Sequence, residues 1–174
     1  MKGIIANCLK ELVSEKFGED KWEEILETSG LDTVYMIQPS ENIDDELILR
    51  MIDSTCQVLK ITPEQAADAF GEYWVNVFAP RVYHVYYKDI KSSKEFILKM
   101  DEIHKKVTND IEGAKPPSFE YEWYADNKLI INYKSERGLV DLLIGLIKGV
   151  GKYFEEDLVV NKLSDKKVEV IFPE

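Results

Sequence analysis

The sequence predicts an α+β fold: a helical N-terminal half, then a half in which a four-stranded antiparallel sheet is combined with long helices. Three observations predict it. Apolar residues recur at spacings of three and four through the first 80 positions. After Pro116-Pro117 the period becomes two. Two turn sequences, Asp126-Asn127 and Ser164-Asp165-Lys166, each separate a pair of such runs.

The first helix carries Ile4, Ile5, Cys8, Leu9, Leu12 and Val13 on one stripe, with Phe17 completing it before Gly18 ends it. Trp22, Ile25 and Leu26 make a second, short helix closed by Gly30. A third runs through Leu47, Ile48, Met51, Ile52, Thr55, Val58 and Leu59, behind Asp44-Asp45-Glu46, whose charges suit a helix N-terminus. Thr62-Pro63-Glu64-Gln65 combines an N-cap, a first-turn proline and a capping-box glutamine. From about Ser93 to Glu112 a long helix buries Phe96, Ile97, Met100, Ile103, Val107 and Ile111, and Gly113 stops it. Phe119, Tyr121 and Trp123 then alternate with Glu120, Glu122 and Tyr124, and Lys128 to Lys134 returns as a second strand. Leu139, Leu142, Leu143, Leu146, Ile147, Val150 and Phe154 define the last helix. Asp157–Leu163 and Lys167–Phe172 close the chain as a hairpin. The expected organisation is one domain over 1–174, with a helical subdomain over about 1–62 and an α+β subdomain over about 63–174.

Composition narrows the function. With 45% hydrophobic and 32% charged residues the chain has the usage of a folded domain and not of a disordered one. Acidic residues outnumber basic ones by 33 to 22, for a formal charge of -11, and no Lys/Arg cluster occurs. A surface for nucleic acid or anionic lipid needs clustered positive charge, so both are excluded as partners. Cys8 and Cys56 have no CxxC or Cys/His spacing and read as reduced core residues of a cytoplasmic protein. No segment reaches the roughly 18 apolar residues of a membrane span. The start, Met1-Lys2-Gly3-Ile4-Ile5, lacks the apolar core and cleavage site of a signal peptide.

Only two histidines are present. His84, in Arg81-Val82-Tyr83-His84, has no clean apolar face and reads as a surface or packing residue. His104 falls four residues after Met100 and three before Val107, within the buried stripe of the long helix. A lone histidine there is more often a hydrogen-bonded core residue than a ligand. A neutral imidazole facing an apolar cavity is nonetheless what an axial haem ligand requires, and on the residues alone both readings stand. In Tyr133-Lys134-Ser135-Glu136-Arg137, positions 133, 135 and 137 share one face if the segment stays extended. Two hydroxyls and a guanidinium would then form a fork for carboxylates; equally, they are a strand tyrosine, a cap serine and an exposed arginine. The acidic runs Asp44-Asp45-Glu46 and Glu155-Glu156-Asp157 lie at helix ends without a nucleophile–base pair, which argues against an enzyme.

Taken together, Met100-Asp101-Glu102-Ile103-His104, Pro116-Pro117, Tyr133-x-Ser135-x-Arg137 and Gly145-Leu146-Ile147-x-Gly149 resemble the haem nitric oxide/oxygen binding (H-NOX) domains, relatives of the haem domain of soluble guanylate cyclase. The resemblance spans the whole chain. It implies a haem b buried between the two halves, with His104 as the proximal iron ligand. It implies that Tyr133, Ser135 and Arg137 bind the haem propionates and that Pro117 presses on the porphyrin. Ile5, Leu9, Trp74, Phe78, Met100, Leu142 and Leu146 are the other residues expected around the haem. Oxygen-binding members place a tyrosine, supported by a tryptophan and an asparagine, on the distal side; the matching positions here are Leu142, Leu9 and Trp74. Bound oxygen gains much from a hydrogen-bond donor and nitric oxide far less. The expectation is therefore a sensor of nitric oxide, and secondarily of carbon monoxide, that excludes oxygen. Trp74 is either a donor to the gas or a large aromatic filling the distal side. No C-terminal cysteine cluster is present, so no zinc site is expected. The resemblance further implies a signalling partner: a histidine kinase, a cyclic-dinucleotide enzyme or a chemotaxis receptor. A haem-free module that holds a lipid or docks a protein is the alternative.

Overall fold

The computed structural model describes residues 3–109 and 115–173. They divide between two compact units, residues 1–66 and 67–174.

The first unit contains helices α1 (Gly3–Phe17), α2 (Glu19–Thr28) and α3 (Asp45–Leu59). Gly18, with φ of 93°, breaks α1 from α2 at a backbone angle that glycine adopts without strain. Asp44 caps α3, its carboxylate accepting from the Glu46 N–H at 2.8 Å. Ala6, Val13, Trp22, Ile25, Leu26, Ile43, Ile48 and Met51 form one core. Each predicted stripe therefore supplies part of it. The stretch between α2 and α3 is an irregular connection, so the helical reading of the first 80 positions is too broad there.

The predicted capping box opens α4 (Pro63–Tyr73): the Thr62 hydroxyl accepts from the Gln65 N–H at 3.2 Å, and the Gln65 side chain accepts from the Thr62 N–H at 2.9 Å. A single π-helical turn, Trp74–Phe78, follows without interruption and leads into α5 (Ala79–Val82). His84 is exposed in a short 3-10 turn, as its setting predicts. Helix α6 (Ser93–Thr108) starts where expected, with the Ser92 hydroxyl accepting from the Glu95 N–H at 3.2 Å. Its predicted end at Glu112, with Gly113 as the stop, lies outside the described residues.

Strands β1 (Ser118–Ala125) and β2 (Lys128–Lys134) form the predicted hairpin, and β3 (Val159–Ser164) and β4 (Lys167–Ile171) the second, with helix α7 (Val140–Tyr153) between them. The sheet order is β1-β2-β4-β3, antiparallel throughout. Leu129, Ile131, Tyr133, Val168 and Val170 pack with Phe96 and Ile97 of α6 and with Val140, Leu143, Ile144, Ile147 and Val150 of α7 in one core. The α+β expectation of a helical N-terminal half and a four-stranded antiparallel sheet is borne out.

Helices α4 and α7 meet backbone to backbone. A Cβ on Gly71 would lie 2.1 Å from the Gly145 carbonyl carbon, one on Gly145 2.1 Å from the Ala67 oxygen, and one on Gly149 2.5 Å from the Gly71 oxygen. Ion pairs flank this glycine seam: Lys148 with Asp68 at 2.7 Å, and Lys152 with Glu72.

Candidate functional site

His104 sits on α6 one turn after Met100, whose side chain packs against the core of the second unit. Its Nδ1 is fully buried and has no hydrogen-bond partner. Burial holds its pKa below the ordinary histidine range, against the opposing pull of the Pro117 backbone, which hydrogen-bonds the ring, and of the Asp101 charge. The ring is therefore neutral near pH 7. A buried imidazole nitrogen without a partner is costly unless something absent from the polypeptide takes its lone pair. Metal-bound histidines show the same arrangement: a backbone group orients the ring while a nitrogen is left for the metal. Among the described residues no cluster of three or more His, Cys, Asp or Glu could hold a metal ion. A lone imidazole would suit an iron whose other ligands come from a macrocycle.

The proline segment gathers the other predicted residues. Phe119, two residues after Pro117, lays its ring 5.6 Å from the His104 ring. It is paired across the sheet with Tyr133, the two ring centres 6.2 Å apart. Arg137 donates from Nη1 to the Lys115 carbonyl at 2.5 Å, two residues before Pro117. His104, Pro117, Phe119, Tyr133 and Arg137 are thereby linked, although the first and the last are 33 positions apart. The fork itself is not built as the alternation suggested. β2 ends at Lys134, the chain turns at 136–137, and the Ser135 hydroxyl accepts from the Arg137 N–H at 3.3 Å. Tyr133 is buried on the strand, whereas Ser135 and Arg137 belong to the turn that follows. Phe119 is the contact that the sequence reading missed. Its only signal was its place, second after Pro117 and first apolar residue of the alternation.

On the other expected side, Leu142 and Leu146 stand one turn apart on α7, half-buried, while Leu143 and Ile147 beside them face the core. Trp74 lies in a column of rings, 5.9 Å from Phe70 and 5.4 Å from Phe78, with interplanar angles of 19° and 22°. It also packs against the core of the second unit, the setting of a space-filling aromatic. Ile5 and Leu9 are half-buried one turn apart on α1, in the first unit. None of Ile5, Leu9, Phe78, Leu142 and Leu146 carries a hydroxyl.

Comparison with known proteins gives a consistent result. The haem-NO-binding family model matches residues 2–162. Soluble guanylate cyclase gcy-35 of Caenorhabditis elegans is 25% identical over 173 residues, 97% of this chain and 25% of that protein. The human guanylate cyclase soluble subunit beta-2 is 34% identical over 77 residues, 44% of this chain and 12% of that one. The chain thus spans about a quarter or less of the length of these relatives. Among solved structures, an oxygen-binding H-NOX domain related to soluble guanylate cyclases, in its oxygen complex, superposes with a TM-score of 0.85 at 25% identity, covering 100% of this chain and 96% of that one. A variant of the T. tengcongensis H-NOX domain gives a TM-score of 0.85 at 26% identity, with 100% and 98% covered.

Proposed function

The chain belongs to the haem-NO-binding family of gas-sensing domains related to soluble guanylate cyclases, and from that premise we propose that it senses nitric oxide, and carbon monoxide secondarily, while excluding oxygen. The domain is a sensor and not a catalyst. The observation that carries the reading is the buried, unpartnered Nδ1 of His104 beside the Pro117 backbone.

A ferrous haem b would supply an iron that binds a diatomic gas. His104 would be its protein ligand. Tyr133 and the Ser135–Arg137 turn would receive the propionates, and Arg137 would bring a positive charge to two carboxylates in a protein of formal charge -11. Pro117, whose backbone bonds the ring of His104 and which directly precedes strand β1, would press on the macrocycle. Leu142, Phe78 and Leu146 would present hydrocarbon to the gas, which withholds the donor that oxygen needs. Nitric oxide bound to such an iron would free His104, and the loss of that restraint on α6 would carry the signal to a partner protein of the kinase, cyclic-dinucleotide or chemotaxis class in the cytoplasm. Among the described residues no helix is long and apolar enough to cross a membrane.

The test is visible spectroscopy of the haem-reconstituted ferrous protein. In air it should show no stable oxygen complex, and with nitric oxide it should show loss of the histidine ligand. Leu142→Tyr, which places a phenol on the distal side, should shift the protein toward oxygen binding. Stable oxygen binding by the unmodified protein would overturn the selectivity and make Trp74 the donor. Arg137→Ala should weaken haem retention by roughly tenfold or more, because a hydrogen bond to a charged group contributes about 1.5–3 kcal/mol. Wild-type rates of haem loss to a competing apoprotein would remove Arg137 from the site.

A further inference from the structure

Helix α6 is tied on three successive turns. Glu156, in the connection between α7 and β3, reaches the first turn: its Oε1 accepts from the Ser93 N–H at 3.3 Å, and its Oε2 accepts from the Ser93 hydroxyl. Ser93 is completely buried. One turn on, the Ile97 carbonyl accepts from the Tyr121 hydroxyl at 2.8 Å, and one turn further the Asp101 carboxylate accepts from the Phe119 N–H at 3.3 Å. Positions 93, 97 and 101 are four residues apart and so lie along one face, on which His104 comes next. Past Asp101, Lys105 pairs with Asp101, Lys106 pairs with Glu102, and the Thr108 hydroxyl donates to the His104 carbonyl, all within the helix.

The three ties are not equivalent. Tyr121 and Phe119 sit on β1 directly after Pro117, so they belong to the same segment that touches His104. Of the three, Glu156 is the hydrogen-bonded tie between α6 and the end of α7, the helix that carries Leu142 and Leu146, and it stands beside the packing of Phe96 on Phe154, ring centres 6.0 Å apart. Its carboxylate stands at a helix N-terminus, where negative charge is favoured, and a partly buried charged contact of this kind is stronger than a neutral one.

We propose that Glu156 is a positioning residue for His104: by fixing the first turn of α6 it holds the imidazole back when nitric oxide binds opposite it, so that His104 is released instead of following. The proposal rests on the gas-sensing reading. With Ser93 freed, α6 turns about the remaining ties at Ile97 and Asp101, which lie about 5–10 Å from His104 at 1.5 Å per residue, so a tilt of roughly 5° displaces His104 by about 0.4–0.9 Å. Metal–ligand distances hold to about 0.2 Å. A loosened first turn is therefore enough to let the ring follow.

The experiment compares the full chain, reconstituted with haem, as wild type, Glu156→Ala and Glu156→Gln. Hydrogen exchange is read at residues 93–97, and the electronic spectrum of the nitric oxide-treated ferrous protein reports how much His104 remains attached. In Glu156→Ala, exchange should accelerate by about tenfold or more, and the attached fraction should rise several-fold. Glu156→Gln keeps one carbonyl acceptor for Ser93 and should return both readouts toward wild type. If the alanine variant does not fold, the glutamine variant still decides by showing a smaller change of the same sign. Faster exchange with a wild-type spectrum would make Glu156 a structural fastening only and overturn the proposal; so would unchanged exchange. A wild-type protein that takes up no haem, or keeps His104 under nitric oxide, would instead defeat the gas-sensing reading and this proposal with it.

Discussion

His104→Gly yields protein that loses haem at least about 100-fold more readily than wild type and regains a wild-type-like spectrum when imidazole is added. The size follows from the donor set. Removing groups that merely orient a ligand already costs about 10–100-fold in metal affinity, and here the ligand itself is lost. His84, the other histidine, is exposed on a short 3-10 turn and offers no substitute. The rescue follows from shape, because glycine leaves the volume of the ring empty beside Phe119 and Pro117, where free imidazole can enter. Haem content and spectrum measured with and without imidazole check the result. A variant with wild-type haem content and spectrum in buffer alone would remove His104 as the ligand.

Gly71→Ala destabilises the second unit by about 3 kcal/mol, at the upper end of overpacking effects. The melting temperature should fall by roughly 10 °C. The added methyl carbon would lie 2.1 Å from the Gly145 carbonyl carbon and 2.5 Å from the Leu146 nitrogen. Both obstacles are backbone, so no side chain can rotate away, and α4 and α7 must separate. Gly18→Ala is the control. Its φ of 93° makes alanine strained, but nothing lies within 4 Å of the new carbon, so the expected cost is about 1–2 kcal/mol. Thermal melts of the two variants compare a clash with a dihedral strain. Equal losses would mean that the seam can open without consequence.

Local chemistry was legible in the sequence, and distant pairing was not. The capping box at Thr62 and Gln65, the strand β2 from Lys128 to Lys134 and the stop at Gly18 are each decided by a few neighbouring residues, and each stands as read. The place of His104 on a half-buried helical face was equally readable. What it lacks, a partner for Nδ1, depends on what β1 brings against it from across a loop. The Tyr133–Arg137 fork failed as an extended run because Ser135 can bond the backbone two residues on, an option that competes with strand pairing. Gly145 and Gly149 were visible as part of a motif. Their reason, the α4 backbone at Ala67 and Gly71, lies more than 70 residues away. Glu156 read as one more acidic residue at a helix end because its partner Ser93 is 63 positions earlier.

The wide turn at Trp74–Phe78 sets the phase of everything that follows it. Four residues of α-helix rotate a side chain about 40° beyond a full circle, since a turn holds 3.6 residues. Four residues of π-helix, at roughly 4.4 per turn, fall short of the circle by about 33°. Phe70 to Trp74 advances chiefly by the first rule and Trp74 to Phe78 by the second, so the two drifts oppose one another, and Trp74 stacks on both neighbours, at 5.9 and 5.4 Å. The extra residue has a consequence for the backbone too. The Val75 carbonyl, on the widened turn, accepts from the Tyr87 hydroxyl at 3.2 Å, and the Asn76 side chain joins the Glu72 carbonyl of α4 to the Gly149 carbonyl of α7 at 2.9 and 3.1 Å. The column, the tyrosine and the amide are thus fitted to a helix one residue longer per turn than its neighbours, and a chain one residue shorter here would lose the alignment of all three at once.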